Sequence, residues 1–187
     1  MKVTPTSLPG VLIIEPQVFE DNRGFFMETY HRKKYGQSGL NQIFVQDNLS
    51  HSVRGTLRGL HYQLKHPQAK LVQVIKGAIF DVSVDIRQGA PSFGQWTGIP
   101  ISDENRRQVF IPEGFAHGFC VLSETADIIY KCTDLYAPDD EAGLLWSDPD
   151  LAIDWPITDP LLSDKDSQYP CLTDVPLKQL PVYTEST

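Results

Sequence analysis

The chain has 187 residues, 41% hydrophobic and 21% charged, the composition of one ordinary globular domain with a single core. Its net charge of −8 excludes a general nucleic-acid binder, whose footprint is basic, yet leaves room for a few Arg and Lys converging in one pocket. At the amino terminus VLII (11–14) is bracketed by Pro9 and Pro16, and no run approaches the roughly 20 apolar residues of a membrane helix. A cytoplasmic protein with no membrane and no nucleic-acid partner is therefore expected. Cys120, Cys132 and Cys171 are an odd count without zinc spacing, which predicts reduced thiols, the first two packed inside apolar strands.

Taken in order, short strand-like runs are punctuated by Gly, Pro, Asn and Asp. VLIIEPQVF (11–19) is a strand interrupted by Pro, and 24–39 starts as a strand and ends in a helical turn around Arg32 to Tyr35. In 43–52, Phe44, Gln46 and Asn48 face one way and Val45, Asp47 and Leu49 the other. Strands are predicted at 70–77 and 78–86 about a turn at Gly77; in the second, Ile79, Asp81, Ser83 and Asp85 alternate with Phe80, Val82, Val84 and Ile86, as on a half-buried strand. The series continues through 94–102, 107–112, 117–123 and 126–136. Many short strands without a long helix predict an all-β antiparallel sandwich or barrel. One domain spans 1–187: a core of about 10–136, then a Pro- and Asp-rich stretch, 137–187, too poor in apolar groups for its own core and expected to wrap the barrel as an extended tail.

Two histidine stretches belong together. From His61 the spacing runs one residue to Gln63, six more to Lys70 and six more to Gly77; downstream, IPEGFAHGF (111–119) holds Pro112, Gly114 and His117. This resembles the paired motifs of the cupin superfamily, jelly-roll β-barrels whose first motif is His-x-His, an acid and then Gly, and whose second is Pro-x-Gly-x-x-His. The resemblance implies a cupin-type jelly-roll β-barrel or sandwich with short peripheral helical turns. In metal-bearing cupins three His and the acid hold an ion. Here Gln63 and Lys70 stand at two of those four positions, and an amide and an ammonium are poor ligands, so no metal is expected. Lys70 would instead supply fixed positive charge in a low-dielectric cavity. Gln63 has no evident role beyond vacating a ligand position. Singly, His61 suits a structural strand histidine and Lys70 a solvated strand start; their joint spacing points to one cavity.

Within the cupins the chain resembles the dTDP-4-dehydrorhamnose 3,5-epimerases. The likeness lies in FEDNRGFFMETY (19–30), FVQDNLSHSVRGTLRGLHYQ (44–63), FDVSVDIRQGAPSFGQW (80–96), IPEGFAHGFCVLSE (111–124), YKCTDLYAPDDEAGLLWSDPDLAIDWP (130–156) and LSDKD (162–166). It implies an isomerase without a cofactor that inverts C3 and C5 of a dTDP-4-keto sugar, whose ketone acidifies both C–H bonds. By resemblance His61 is the base and Asp166 its paired acid, Lys70 stabilises the enolate, and Tyr130 is the acid on the other face. Arg58 suits the diphosphate. Arg23 and Phe19 are implied to reach the neighbouring subunit's site in a homodimer, with Phe19 or Tyr136 stacking on thymine. Glu28, Gln46, Asn48 and Glu141 match positions around nucleotide and sugar, and His117 the retained cupin histidine beside the sugar. Without the resemblance Asp166 is a loop cap, Tyr130 an aromatic strand residue, Glu28 a solvated one and DNRG (21–24) a turn. The alternatives are an epimerase inverting C3 or C5 alone, a metal-dependent cupin oxygenase or isomerase, and a non-catalytic sugar-nucleotide module.

Overall fold

The computed structural model describes residues 1–184. Thirteen strands carry it: β1 (Lys2–Pro5), β2 (Leu12–Glu15), β3 (Val18–Asp21), β4 (Gly24–Met27), β5 (Gln46–Val53), β6 (Leu57–Gln63), β7 (Lys70–Lys76), β8 (Ala78–Asp85), β9 (Trp96–Ser102), β10 (Gln108–Ile111), β11 (Phe115–Val121), β12 (Thr125–Cys132) and β13 (Glu141–Gly143). One short helix, α1 (Arg32–Gln37), and three 3-10 turns sit at the periphery. The strands form a six-stranded sheet in the order β1-β2-β10-β7-β12-β5, a five-stranded sheet in the order β13-β6-β11-β8-β9, and the two-stranded hairpin β3-β4. The pairings between these strands are antiparallel. The all-β sandwich of the jelly-roll kind expected from the sequence is the observed fold, with the helical turn at Arg32 extended to Gln37.

Three apolar clusters hold it, one of them packing Ile14, Leu71 and Phe110 against Tyr35 and Leu40. Between the sheets, Val72, Val74, Val109 and Ile128 pack on Ile79, Ile99, Ile101, Phe119 and Val121. On the outer side of the five-stranded sheet, Leu57, Leu60, Val82, Val84 and Cys120 meet Leu144, Leu151, Trp155, Leu172, Val175 and Leu180 from the carboxy-terminal stretch. That stretch is pinned to the body by parallel bridges, Thr56 to Leu161 and Gln88 to Val182. Its isolated apolar residues thus complete a layer that belongs to the sheet.

The covering explains how β8 is built. Its apolar row, Val82 and Val84, faces outward beneath the tail, while Asp81 and Ser83 face the space between the sheets. Both rows are buried, so the alternation marks two different interiors rather than core and solvent. On β5 the polar row again turns inward: Gln46 and Asn48 reach a cavity, and Val45 just before the strand, Leu49 and Val53 are half or more exposed. Strand β6 is absent from the sequence expectation because RGLHYQ alternates poorly; its backbone ladder to β11 and β13 makes it a strand. Strands β1 and β13 are too short to carry a period.

Candidate active site

His61 lies on β6, opposite His117 of β11 and Gly143 of β13. Its Nε2 is 2.5 Å from Asp166 Oδ1. Asp166 sits in the turn 163–168, its amide donating to Ser163 Oγ at 3.1 Å. Burial pushes the Asp166 carboxyl up, but the His61 bond, Ser163 and Lys165 more than offset this and hold it below the usual carboxylate range. An ionised carboxylate only accepts, so the shared proton belongs to Nε2, leaving Nδ1 as the free, basic nitrogen. Glu141 Oε1 stands 3.9 Å from that Nδ1. The Tyr169 ring meets the imidazole edge-on, centroids 5.8 Å apart, and lies flat against Gly143, where an added Cβ would fall 2.4 Å from Cε2.

From the other sheet come Lys70, at the start of β7, and Tyr130 on β12. Together with Gln46, Asn48, His61 and Glu141 they line a cavity of about 310 Å³ between the sheets. Burial pushes the Lys70 ammonium below its ordinary value, against the opposing influence of Cys132, Asp81 and Glu141. Burial also pushes the Tyr130 phenol up, so it remains a proton donor near neutrality. Glu141 is raised by its own burial and lowered more by its hydrogen bonds, ending below the usual range. Those bonds come from Lys165 and from the Tyr136 hydroxyl, each 2.5 Å from Oε2. A polar chain closes the opposite wall: Tyr136 N donates to Gln46 Oε1 at 2.9 Å, Gln46 Nε2 to Asn48 Oδ1 at 3.0 Å, and Asn48 Nδ2 to Cys132 Sγ at 3.6 Å.

The cavity opens on a groove lined by Arg58, Lys165 and Asp166, with His61, Tyr136 and Glu141 shared between the two. Arg58 is exposed there, its Nε donating to Ser52 Oγ at 3.1 Å. The structure therefore brings His61, Asp166, Lys70, Tyr130, Arg58, Gln46, Asn48, Tyr136 and Glu141 to one place. His117, expected beside the sugar, is buried next to His61 with its Nε2 2.8 Å from Asp81 Oδ2, and it does not line the cavity. Phe19, Arg23 and Glu28 are elsewhere: the first two lie on the β3-β4 hairpin, Arg23 paired with Asp21 at 2.6 Å, and Glu28 is paired with Lys34 at 2.8 Å. Within one chain none of these three lines the cavity.

Sequence reasoning passed over three side chains of this site. Asp81 was legible only as part of an alternation, Lys165 only as the residue before Asp166, and Tyr169 had no signal at all. Gln63 gains a duty: its Nε2 donates to His66 O (2.6 Å) and Leu135 O (3.3 Å), and its Oε1 accepts from Ala137 N (2.9 Å), tying two loops at the cavity rim. Among the described residues no group of three or more His, Cys, Asp or Glu is placed to hold a metal ion, and no helix is long and apolar enough to cross a membrane.

The chain is similar to known proteins over most of its length. The family profile of dTDP-4-dehydrorhamnose 3,5-epimerase matches residues 5–174. A protein of that name from Methanothermobacter thermautotrophicus is 53% identical, with 95% of each chain aligned, and one from Pseudomonas aeruginosa is 53% identical over 93% of this chain and 97% of its own. The crystal structure of dTDP-6-deoxy-D-glucose-3,5-epimerase RmlC from Legionella pneumophila in complex with dTDP-4-keto-L-rhamnose superimposes with a TM-score of 0.96 at 49% identity, over 98% of this chain and 99% of that one. A dTDP-4-dehydrorhamnose 3-epimerase from Streptomyces niveus is 43% identical over 89% of this chain and 81% of its own. With the profile matched almost end to end and relatives identical at about half of all positions, the chain belongs to the dTDP-4-dehydrorhamnose 3,5-epimerase family.

Proposed function

We propose that the protein is an isomerase that inverts C3 and C5 of dTDP-4-dehydro-6-deoxy-D-glucose, giving dTDP-4-dehydro-L-rhamnose. The observation that carries this reading is one cavity with His61 on one sheet, oriented by Asp166 from the turn behind it, and the half-buried Tyr130 phenol and Lys70 ammonium on the other sheet. A ketone at C4 lowers the acidity barrier of the hydrogens on C3 and C5. His61 Nδ1 removes the proton, and Asp166 keeps the ring in the right tautomer and stabilises the imidazolium that forms. The Lys70 ammonium faces the enolate oxygen, where charge develops in a dry site. Tyr130 returns a proton on the opposite face. Gln46 and Asn48 lie along the cavity wall beside the sugar, and His117, fixed by Asp81, backs His61 from the neighbouring strand. Arg58 takes the diphosphate in the groove, and Tyr136 offers its ring to thymine.

The reading extends to a homodimer in which the β3-β4 hairpin carries Phe19 and Arg23, with Glu28 close behind, to the neighbouring subunit's site. Two features support it: Phe19, Phe25 and Phe26 are more than half exposed on that hairpin, and Val45, Leu49 and Val53 leave an apolar row uncovered along β5. A cytoplasmic setting fits three free thiols.

Incubation with the keto sugar in deuterated water tests the reaction and its regiochemistry together. Deuterium is expected at both C3 and C5; label at one carbon would make the protein a mono-epimerase, the activity for which the Streptomyces niveus relative is named. His61→Ala is expected to abolish turnover while dTDP still binds; a variant that turns over normally would remove His61 from the role of base, and native protein that binds dTDP without turnover would leave only a binding module.

A further inference from the structure

One base and one acid that serve two carbons have to be reset between the two inversions. After the first, His61 holds the proton it removed and Tyr130 has given its own away; the second cannot start until His61 is neutral and the phenolate is protonated again. This requirement rests on the double inversion proposed above.

Asp166 cannot empty the imidazole, because it is engaged with the other ring nitrogen and its side chain is only 5% exposed. Glu141 is placed differently. It projects from β13 two residues before Gly143, the register partner of His61, so the two side chains are diagonal neighbours on one face. Oε1 lies 3.9 Å from His61 Nδ1, the span of a slight side-chain rotation or of one bridging water. Oε2 is held by Lys165 and the Tyr136 hydroxyl, at 2.5 Å each, which keeps the group a carboxylate and aims its free oxygen at the imidazole. Lys165 and Tyr136 are themselves about half exposed, and Glu141 lines both the cavity and the outer groove. It is the carboxylate that joins the base to the solvent.

We infer that Glu141 is the proton outlet of His61, discharging the imidazolium between the two inversions. The proton moves from His61 Nδ1 to a Glu141 oxygen and on to water at the cavity mouth, while the Tyr130 phenolate takes one proton from water. One proton leaves, one enters, and the charge of the site returns to its starting value. Tyr136 and Lys165 act through Glu141 as positioning residues.

Glu141→Gln tests this, since the amide keeps the shape and can still accept from Tyr136 but cannot carry the proton. In a single turnover in deuterated water the variant is expected to complete the first inversion at close to the native rate and to slow the second by about 100-fold or more, the scale of a lost proton-transfer group. The singly inverted, singly labelled sugar should then accumulate. Glu141→Ala supplemented with formate should recover the second inversion, because a small carboxylate can occupy the vacated space. Equal slowing of both inversions, slowing of neither, or loss of the second without recovery by formate would overturn the relay and leave Glu141 a binding residue. Native protein labelled at one carbon alone would overturn the double inversion itself, and with it the need for an outlet.

Discussion

Lys70 illustrates at the residue scale how a catalytic group is installed against its own stability. Burial depresses its ammonium, so the folded chain binds that proton less tightly than the unfolded chain does. The penalty is complete below the depressed value and fades as pH rises toward the ordinary lysine value. Lys70→Met, an apolar stem of similar length, is accordingly expected to abolish turnover and to raise the melting temperature by about 2–4 °C for each ~1 kcal/mol relieved, read by thermal unfolding at neutral pH. Asp166 works in the other sense. Its carboxyl is held below the usual range, so its contribution to stability is present above the unfolded carboxylate value and disappears as pH falls through the lower folded one. Asp166→Asn is expected to lower kcat by roughly 10³–10⁴, with a far smaller change in KM, because the amide no longer selects the Nε2–H tautomer. Both residues show where sequence reading stops. Lys70 was legible through its spacing from His61 and Gly77, whereas Asp166 is 105 positions from its partner in a tail full of aspartates, and only the family likeness singled it out.

At the scale of the element, β13 is three residues long and sets the geometry of the base. It places Gly143 opposite His61 and Glu141 beside it, and the bare Gly143 surface lets Tyr169 lie against the strand. Gly143→Ala would drive a Cβ into the Tyr169 ring, which then shifts or takes the strand with it. We expect a loss of about 1–3 kcal/mol in denaturant unfolding, the range of an overpacked core, together with reduced kcat as His61 loses its edge-on neighbour. Such a strand carries no period that a reader could recognise. Strand β8 carries a clear one, and its alternation correctly separated Asp81 and Ser83 from Val82 and Val84. What alternation does not contain is the identity of each face. The apolar row turned out to lie under the tail, which covers it, and the polar row to face the sheets' interior, where Asp81 holds His117.

For the molecule as a whole, the carboxy-terminal stretch is both a structural layer and a part of the site. Trp155 packs against Phe80 with ring centroids 6.2 Å apart and donates its Nε1–H to Trp146 O at 2.9 Å. Trp155→Ala is expected to cost about 3–5 kcal/mol in urea unfolding, the usual scale for an emptied aromatic site. Activity should fall in step with the unfolded fraction, since the same stretch delivers Asp166 to His61 and Lys165 to Glu141. The sequence by itself determined an all-β chain, the two rows of β5 and of β8, and a cupin-like spacing in which an amide and an ammonium replace metal ligands; these are local properties, set by period two and by residue type. The tertiary structure alone decided which row faces the cavity, that Lys165 and Tyr169 join Asp166 and Glu141 around His61, and that Gln63 ties two rim loops. Those outcomes depend on contacts between residues far apart in the chain, and no local pattern of hydrophobicity or spacing encodes which distant segment covers a given face.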